Sequence, residues 1–193
     1  MTRPNPLSAD SLPEHVRLLA GRIAESSASA LSGLYDLTAQ RLVRYATTIT
    51  RNQHDEEDAV QAALVKVAGE PQLLSRSDHP WSYLLRIVRN ESLVILRRKK
   101  RWSLVSNLTD LLTHRLADEL DKEDTSREVW AALRTLPTEQ SEVVVLKIWE
   151  EMTFAQIAEI LEISSSTAAS RYRYAIEKLT SKLRVNHTEV HCD

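Results

Sequence analysis

Thr153-Phe-Ala-Gln-Ile-Ala-Glu-Ile-Leu-Glu-Ile-Ser-Ser-Ser-Thr-Ala-Ala-Ser-Arg-Tyr-Arg-Tyr-Ala175 holds two short amphipathic segments separated by a break at Glu162-Ile163-Ser164. Phe154, Ile157, Ala158 and Leu161 recur at i, i+3, i+4 and i+7, so a helix would carry them on one face. Ala168, Tyr172, Ala175, Ile176 and Leu179 do the same on the second segment. Thr153 and Gln156 have the spacing of a capping box, with Thr153 as N-cap. Ser164 or Ser165 can cap the second helix by accepting from its free amides. This is the layout of a helix-turn-helix, whose second helix enters the DNA major groove. An ordinary αα-hairpin has the same periodicity, so the rest of the chain must decide.

Composition narrows the choice. The 193 residues include 3 Gly and 6 Pro, with 42% hydrophobic and 27% charged residues, and no alternating strand pattern of any length. An all-α protein of two small helical domains is expected. A formal charge of -2 lacks the basic excess of an autonomous DNA binder, so local patches or a partner must supply the affinity. The one cysteine, Cys192, excludes an internal disulfide framework and fits a reducing compartment. The first residues lack the apolar core of a signal peptide, and no apolar run reaches membrane-spanning length, so a cytoplasmic protein without membrane insertion is expected.

Outward from the quoted stretch, residues 1–27 read as a tail followed by a short helix from Pro13 to about Glu25. A longer helix with an apolar stripe from Leu31 to Ile49 follows and ends near Thr50, with Arg51 to His54 as a turn. Asp55 is then the expected N-cap of a helix whose first turn carries Glu56, Glu57 and Asp58, suited to the positive end of its dipole. Ala59, Val60, Ala63, Leu64 and Val67 form its buried face, leaving Asp58, Gln61, Ala62 and Val65 on another. A metal site here, with His54, would need a second ligand set, and the sequence has no matching Asp/His cluster; no metal and no cofactor are expected.

Gly69 to His79 reads as a loop before a helix that opens at Pro80 and runs to Arg101. Arg86, Arg89, Arg97, Arg98, Lys99, Lys100 and Arg101 against Glu91 give it a local excess of six positive charges. Trp81 and Tyr83 precede this run and Trp102 closes it. Cations neutralise phosphates and aromatic faces stack on unpaired bases, a combination suited to DNA that is being opened. A basic, solvated helix end with core aromatics is the plainer alternative. Between Ser103 and Asp124 the periodicity fades and the charge turns to minus four, which marks an acidic linker. A second domain starts near residue 125: Val129, Ala132, Leu133 and Leu136 precede Pro137, a helix runs from Thr138 to about Glu150, and the last helix ends at Leu183 or Arg184.

Taken in order, these pieces resemble the ECF (extracytoplasmic-function, group IV) sigma factors of bacterial RNA polymerase. Asp55-Glu-Glu-Asp-Ala-Val-Gln61 is similar to the core-binding helix of region 2 in that family, and Trp81-Ser-Tyr-Leu-Leu-Arg-Ile-Val-Arg-Asn90 with Arg97 and Arg98 to its promoter-melting helix. Leu133-Arg-Thr-Leu-Pro-Thr-Glu-Gln140, Phe154-Ala-Gln-Ile-Ala-Glu-Ile-Leu161 and Thr167-Ala-Ala-Ser-Arg171 are similar to region 4. The likeness runs from about Ala30 to Leu183. It implies a region 2 domain over 28–102, an acidic linker over 103–124, a region 4 domain over 125–184 and a disordered tail over 185–193.

The resemblance further implies that Asp58, Gln61, Ala62 and Val65 face core polymerase. It implies that Ser75, Arg76, Ser77, Asp78 and His79 form a loop holding a flipped minus-ten base. Trp81, Arg86, Arg89, Asn90, Arg97 and Arg98 would support the opened strand. Ser166, Ala169, Ser170, Arg171, Arg173 and Tyr174 would face the minus-thirty-five duplex. The implied partners are core polymerase and promoter DNA, with an anti-sigma factor left open; the polymerase, not this chain, would do the chemistry. Val94 stands where the family usually has Asp, Ala68 where Trp is frequent, Glu162 where Gly is usual and Ala169 where a cation is frequent, while Arg173-Tyr174 inverts the common order. These departures bear on promoter sequence and strength more than on fold. The competing readings are a helix-turn-helix regulator, for which the N-terminal half lacks the βα pattern of a receiver domain, and a sigma-like protein that serves only as a partner-binding module.

Overall fold

The structure is a computed structural model that describes residues 12–25, 28–105 and 124–189. Among these residues the secondary structure is entirely helical, as composition implied. The helices are α1 (Leu12–Ala24), α2 (Ala28–Thr50), α3 (Gln53–Gly69), α4 (Gln72–Ser75), α5 (Pro80–Val105), α6 (Asp124–Arg134), α7 (Thr138–Ile148), α8 (Phe154–Leu161) and α9 (Ser165–Glu189). Most of the acidic segment between α5 and α6, the first eleven residues and the last four, with His191 and Cys192, lie outside the described residues.

In the N-terminal half α2, α3 and α5 pack on one another, and α1 lies across α2, α4 and α5. Each helix turns one apolar stripe inward. On α1 this is Leu12, Val16, Ala20 and Ile23; on α3 it is Ala59, Val60, Ala63 and Val67, the face expected from periodicity save for half-buried Leu64. In the C-terminal half α9 packs on α6, α7 and α8. Six consecutive residues of α7, Ser141 to Leu146, are buried, so this helix is surrounded rather than amphipathic. The reason lies across the molecule: α7 also packs on α2, and α8 on α5, so the two halves share a seam.

Several expectations need correction. The N-cap of α3 is Asn52, not Asp55: Asn52 is extended (φ −146°, ψ 128°) and its side chain accepts from the Asp55 amide. The helix therefore opens three residues earlier, and Asp55 and Glu56 turn into the protein. Asp55 pairs with Lys99 at 2.7 Å, and Glu56 accepts from the Thr47 hydroxyl at 2.6 Å. The expected loop from Gly69 to His79 contains the single turn α4. α5 continues four residues past Arg101, into the segment read as linker, and α9 passes Arg184 to reach Glu189, where a frayed tail was expected. Neither stretch contains a Gly or Pro to stop a helix.

Candidate nucleic-acid interface

The helix-turn-helix forms as its sequence spells it. Thr153 accepts from the Gln156 amide while Gln156 accepts from the Thr153 amide at 2.9 Å, completing the capping box. Ile157, Ala158, Ile160 and Leu161 are buried, and Phe154 meets Tyr172 edge-on with ring centroids 5.8 Å apart. Glu162 takes the left-handed conformation (φ 57°, ψ 47°), and its amide and that of Ile163 both reach the Ala158 carbonyl. Ser164 then caps α9, its hydroxyl accepting from the Thr167 amide at 3.0 Å. Of the residues expected at the duplex, Ser166, Arg173 and Tyr174 are exposed and Ala169, Ser170 and Arg171 half-buried. The Arg173 guanidinium lies over the Tyr174 ring, 5.2 Å from its centroid.

A second surface is on α3. Asp58, Gln61 and Val65 are exposed and Ala62 is half-buried, and all four fall on one helical face. Val65 is 70% exposed.

The third surface is the start of α5 with the turn before it. Ser75, Arg76, Asp78 and His79 are exposed and Ser77 half-buried, so the expected base-holding loop is open. Arg17 on α1 donates to the Asp78 carbonyl, and Arg76 donates to the Gln72 side chain, which tie this turn to α1 and α4. Pro71, Gln72, Leu73, Arg76 and Tyr83 line a cavity of about 550 Å³ beside it. The Arg86 guanidinium lies 4.9 Å from the Tyr83 ring centroid, a cation over an aromatic face. Asn90, Arg97 and Arg98 are exposed further along α5.

Two members of the expected strand-binding set stand differently. Trp81 is buried, 4% exposed, in the seam between the halves. Arg89 is half-buried and its Nε donates to Glu142 Oε1 on α7 at 2.8 Å. The same carboxylate oxygen accepts from the Tyr45 phenol at 3.1 Å. Burial pushes the Glu142 carboxyl up, against the pull of the Arg89 charge and the hydrogen bonds from Arg89 and Tyr45. Burial, reinforced by the Glu142 charge, also raises the Tyr45 phenol well above its usual value. Glu150, just past α7, pairs with Arg41 at 3.2 Å, and its own carboxyl is raised by burial, with Arg41 opposing. The pairings of Glu142 with Tyr45 and Arg89 and of Glu150 with Arg41 carry no signal in the sequence, because the partners lie 97, 53 and 109 residues apart.

Residues 34–102 match the family model for sigma-70 region 2 and residues 126–179 that for sigma-70 region 4. The ECF RNA polymerase sigma factor SigL of Mycobacterium tuberculosis is 28% identical over 164 residues, covering 83% of this chain and 93% of its own. The chain belongs to the ECF sigma factors. It is a transcription initiation factor, built as region 2 and region 4 in the family's order. Solved structures share the fold: the sigma factor RpoE of Bartonella quintana, in complex with the anti-sigma factor NepR, superposes with a TM-score of 0.68 at 21% identity over 80% of this chain and 96% of its own. CnrH, in complex with the cytosolic domain of CnrY, does so at 0.63 and 23%, over 89% and 98%. Among the described residues no helix of this sigma factor is long and apolar enough to cross a membrane.

Proposed function

We propose that this sigma factor docks on core RNA polymerase through Asp58, Gln61, Ala62 and Val65, opens the minus-ten element with the loop from Ser75 to His79 and the α5 side chains Trp81, Arg86, Arg89, Asn90, Arg97 and Arg98, and holds the minus-thirty-five duplex with Ser166, Ala169, Ser170, Arg171, Arg173 and Tyr174. The observation that carries this reading is the separation of surfaces: an acidic and apolar face on α3, a cationic and aromatic face on α5, and a capped recognition helix, α9, with two arginines half or fully open. Each suits a different ligand, respectively protein, single strand and duplex.

The functional units follow as 28–102 and 125–184, with the acidic segment over 103–124 joining them. Work of this kind belongs in the cytoplasm, where polymerase and promoter meet, and all the catalysis resides in the polymerase. An anti-sigma factor is a further partner of this chain, supported by the solved sigma factor RpoE of the same fold, which carries one.

Reconstitution with core polymerase on a promoter library tests the reading. Wild type should initiate at a defined set of start sites. Asp58→Lys should lose polymerase binding, and the double variant Arg171→Ala/Arg173→Ala should lose minus-thirty-five-dependent initiation while still binding polymerase. Initiation that is indifferent to the arginine pair would instead mark region 4 as a partner-binding module.

A further inference from the structure

The function proposed above gives α1 no part, and this helix precedes the stretch that matches region 2, residues 34–102. It is nonetheless fixed to the minus-ten loop. Leu12, Val16, Ala20 and Ile23 are buried in the N-terminal core, and α1 packs on α2, α4 and α5. Pro13, Glu14 and Arg17 fall at i, i+1 and i+4 beside that stripe and line a cleft of about 490 Å³ with Asp78, His79 and Ser82. There the Arg17 guanidinium donates to the Asp78 carbonyl, across 61 positions of sequence.

The other hydrogen bonds of residues 76–79 are local. The amides of Arg76 and Ser77 reach the Gln72 and Leu74 carbonyls of α4, and the Arg76 side chain turns back to Gln72. The His79 amide reaches the Ser77 hydroxyl, and the Tyr83 amide of α5 reaches the His79 carbonyl. Leu74 and Pro80, both buried, pin the two ends of the turn. Among the described residues, Arg17 alone ties its open middle to a distant helix. A guanidinium donating to a carbonyl makes a charge-assisted bond, stronger than the neutral amide bonds around it. Reading a base requires donors and acceptors held within about 0.5 Å of their productive places. A turn exposed at Arg76, Asp78 and His79 does not hold that geometry by packing.

We propose that Arg17 is a positioning residue for promoter selection: from α1 it fixes the backbone at Asp78, and so the shape in which the loop from Ser75 to His79 receives a minus-ten base, without touching DNA itself. This rests on the assignment of that loop to the minus-ten base. A loop that spends part of its time in the competent shape binds the preferred base more weakly by that fraction. Contacts to phosphate ignore base identity and are untouched. Loss of the tether therefore lowers discrimination between bases rather than the general attraction to DNA.

The test uses holoenzyme reconstituted from the full chain and core RNA polymerase, with fluorescently labelled fork-junction DNA carrying each base in turn at each single-stranded minus-ten position. Dissociation constants give the ratio between preferred and disfavoured base. Arg17→Ala should lower that ratio roughly five-fold at the position the loop holds, as a competent fraction of about one in five requires. The slope of log affinity against log salt should stay as in wild type. Arg17→Lys, which keeps a charged donor, should recover most of the ratio. Arg22→Ala, which removes an exposed cation from the far end of the same helix, should change it less than about two-fold. Arg17 is exposed and outside the buried stripe, so these variants keep the fold, which circular dichroism checks. Ser77→Ala/His79→Ala, within the loop, tests the premise separately. If that pair shifts base preference and Arg17→Ala does not, the tether is overturned and the minus-ten assignment stands. If neither shifts it, the proposal falls with its premise. A loss of affinity for every base alike, with the salt slope reduced by about 0.7, also overturns it, because Arg17 would then be a phosphate contact.

Discussion

Replacing Glu162 by glycine should stabilise this protein, although glycine weakens most helical contexts. Glu162 ends α8 at φ 57° and ψ 47°, with its amide on the Ala158 carbonyl. A residue with a Cβ pays about 1–2 kcal/mol to hold this left-handed conformation. Glycine holds it without that cost but loses about 0.5–1 kcal/mol more conformational entropy on folding. The difference leaves Glu162→Gly more stable by roughly 0.5–1 kcal/mol, since the glutamate side chain is exposed and its loss exposes no core. For a chain of this length that is a rise of roughly 2–3 °C in Tm. Urea titration of the full chain, followed by far-ultraviolet circular dichroism, measures it. The midpoint should rise while the slope stays constant. Glu162→Ala, which keeps a Cβ, should gain nothing. A loss of stability with Glu162→Gly, or an equal gain with both, would refute the strain argument and point to a role for the carboxylate itself.

Three further outcomes follow from described contacts. Burial raises the Glu56 carboxyl to about 7, against the Thr47 hydrogen bond that favours the charged form. Because the folded value lies above the unfolded one, the protonated side chain favours folding and this contribution fades as pH rises from about 5 to 8. Glu56→Gln should match wild type near pH 5 and exceed it at pH 8 by up to about 3 kcal/mol, read from urea unfolding at both values; a constant gap would sink the assignment. Thr153→Ala removes the capping hydroxyl and should cost about 1 kcal/mol, with Thr153→Ser recovering most of it in the same titration. If Arg171 and Arg173 each neutralise one phosphate, holoenzyme carrying Arg171→Ala/Arg173→Ala should lose about 1.8 from the slope of log affinity against log salt on duplex promoter DNA. An unchanged slope would place both guanidiniums away from the backbone.

What could be read in advance was what the chain writes locally. The capping box of Thr153 and Gln156, the apolar stripes of α3 and α8 and the proline start of α5 are short-range signals, and the helices stand where those signals put them. Asp55 was read as the cap and Asn52 as part of a turn. Burial decided otherwise, since Asp55 meets Lys99 and Glu56 meets Thr47 only once α2, α3 and α5 have packed. Trp81 looked like a stacking platform because it sits beside a basic run, but it is buried and its side chain meets Glu150, a long-range partner that no local pattern announces. The same holds for Glu142. In the sequence it is one more glutamate on a helix, and only the fold shows that it closes on Tyr45 and Arg89.

The seam between α2, α5 and α7 is also a statement about competition. Its two sides belong to one chain, joined through residues 106–123, so each meets the other at a tether-set local concentration that is in the millimolar range for short connections. Contacts too weak to unite two separate proteins suffice to keep such halves together. A surface that competes for either half must therefore overcome that local concentration as well as the contacts themselves.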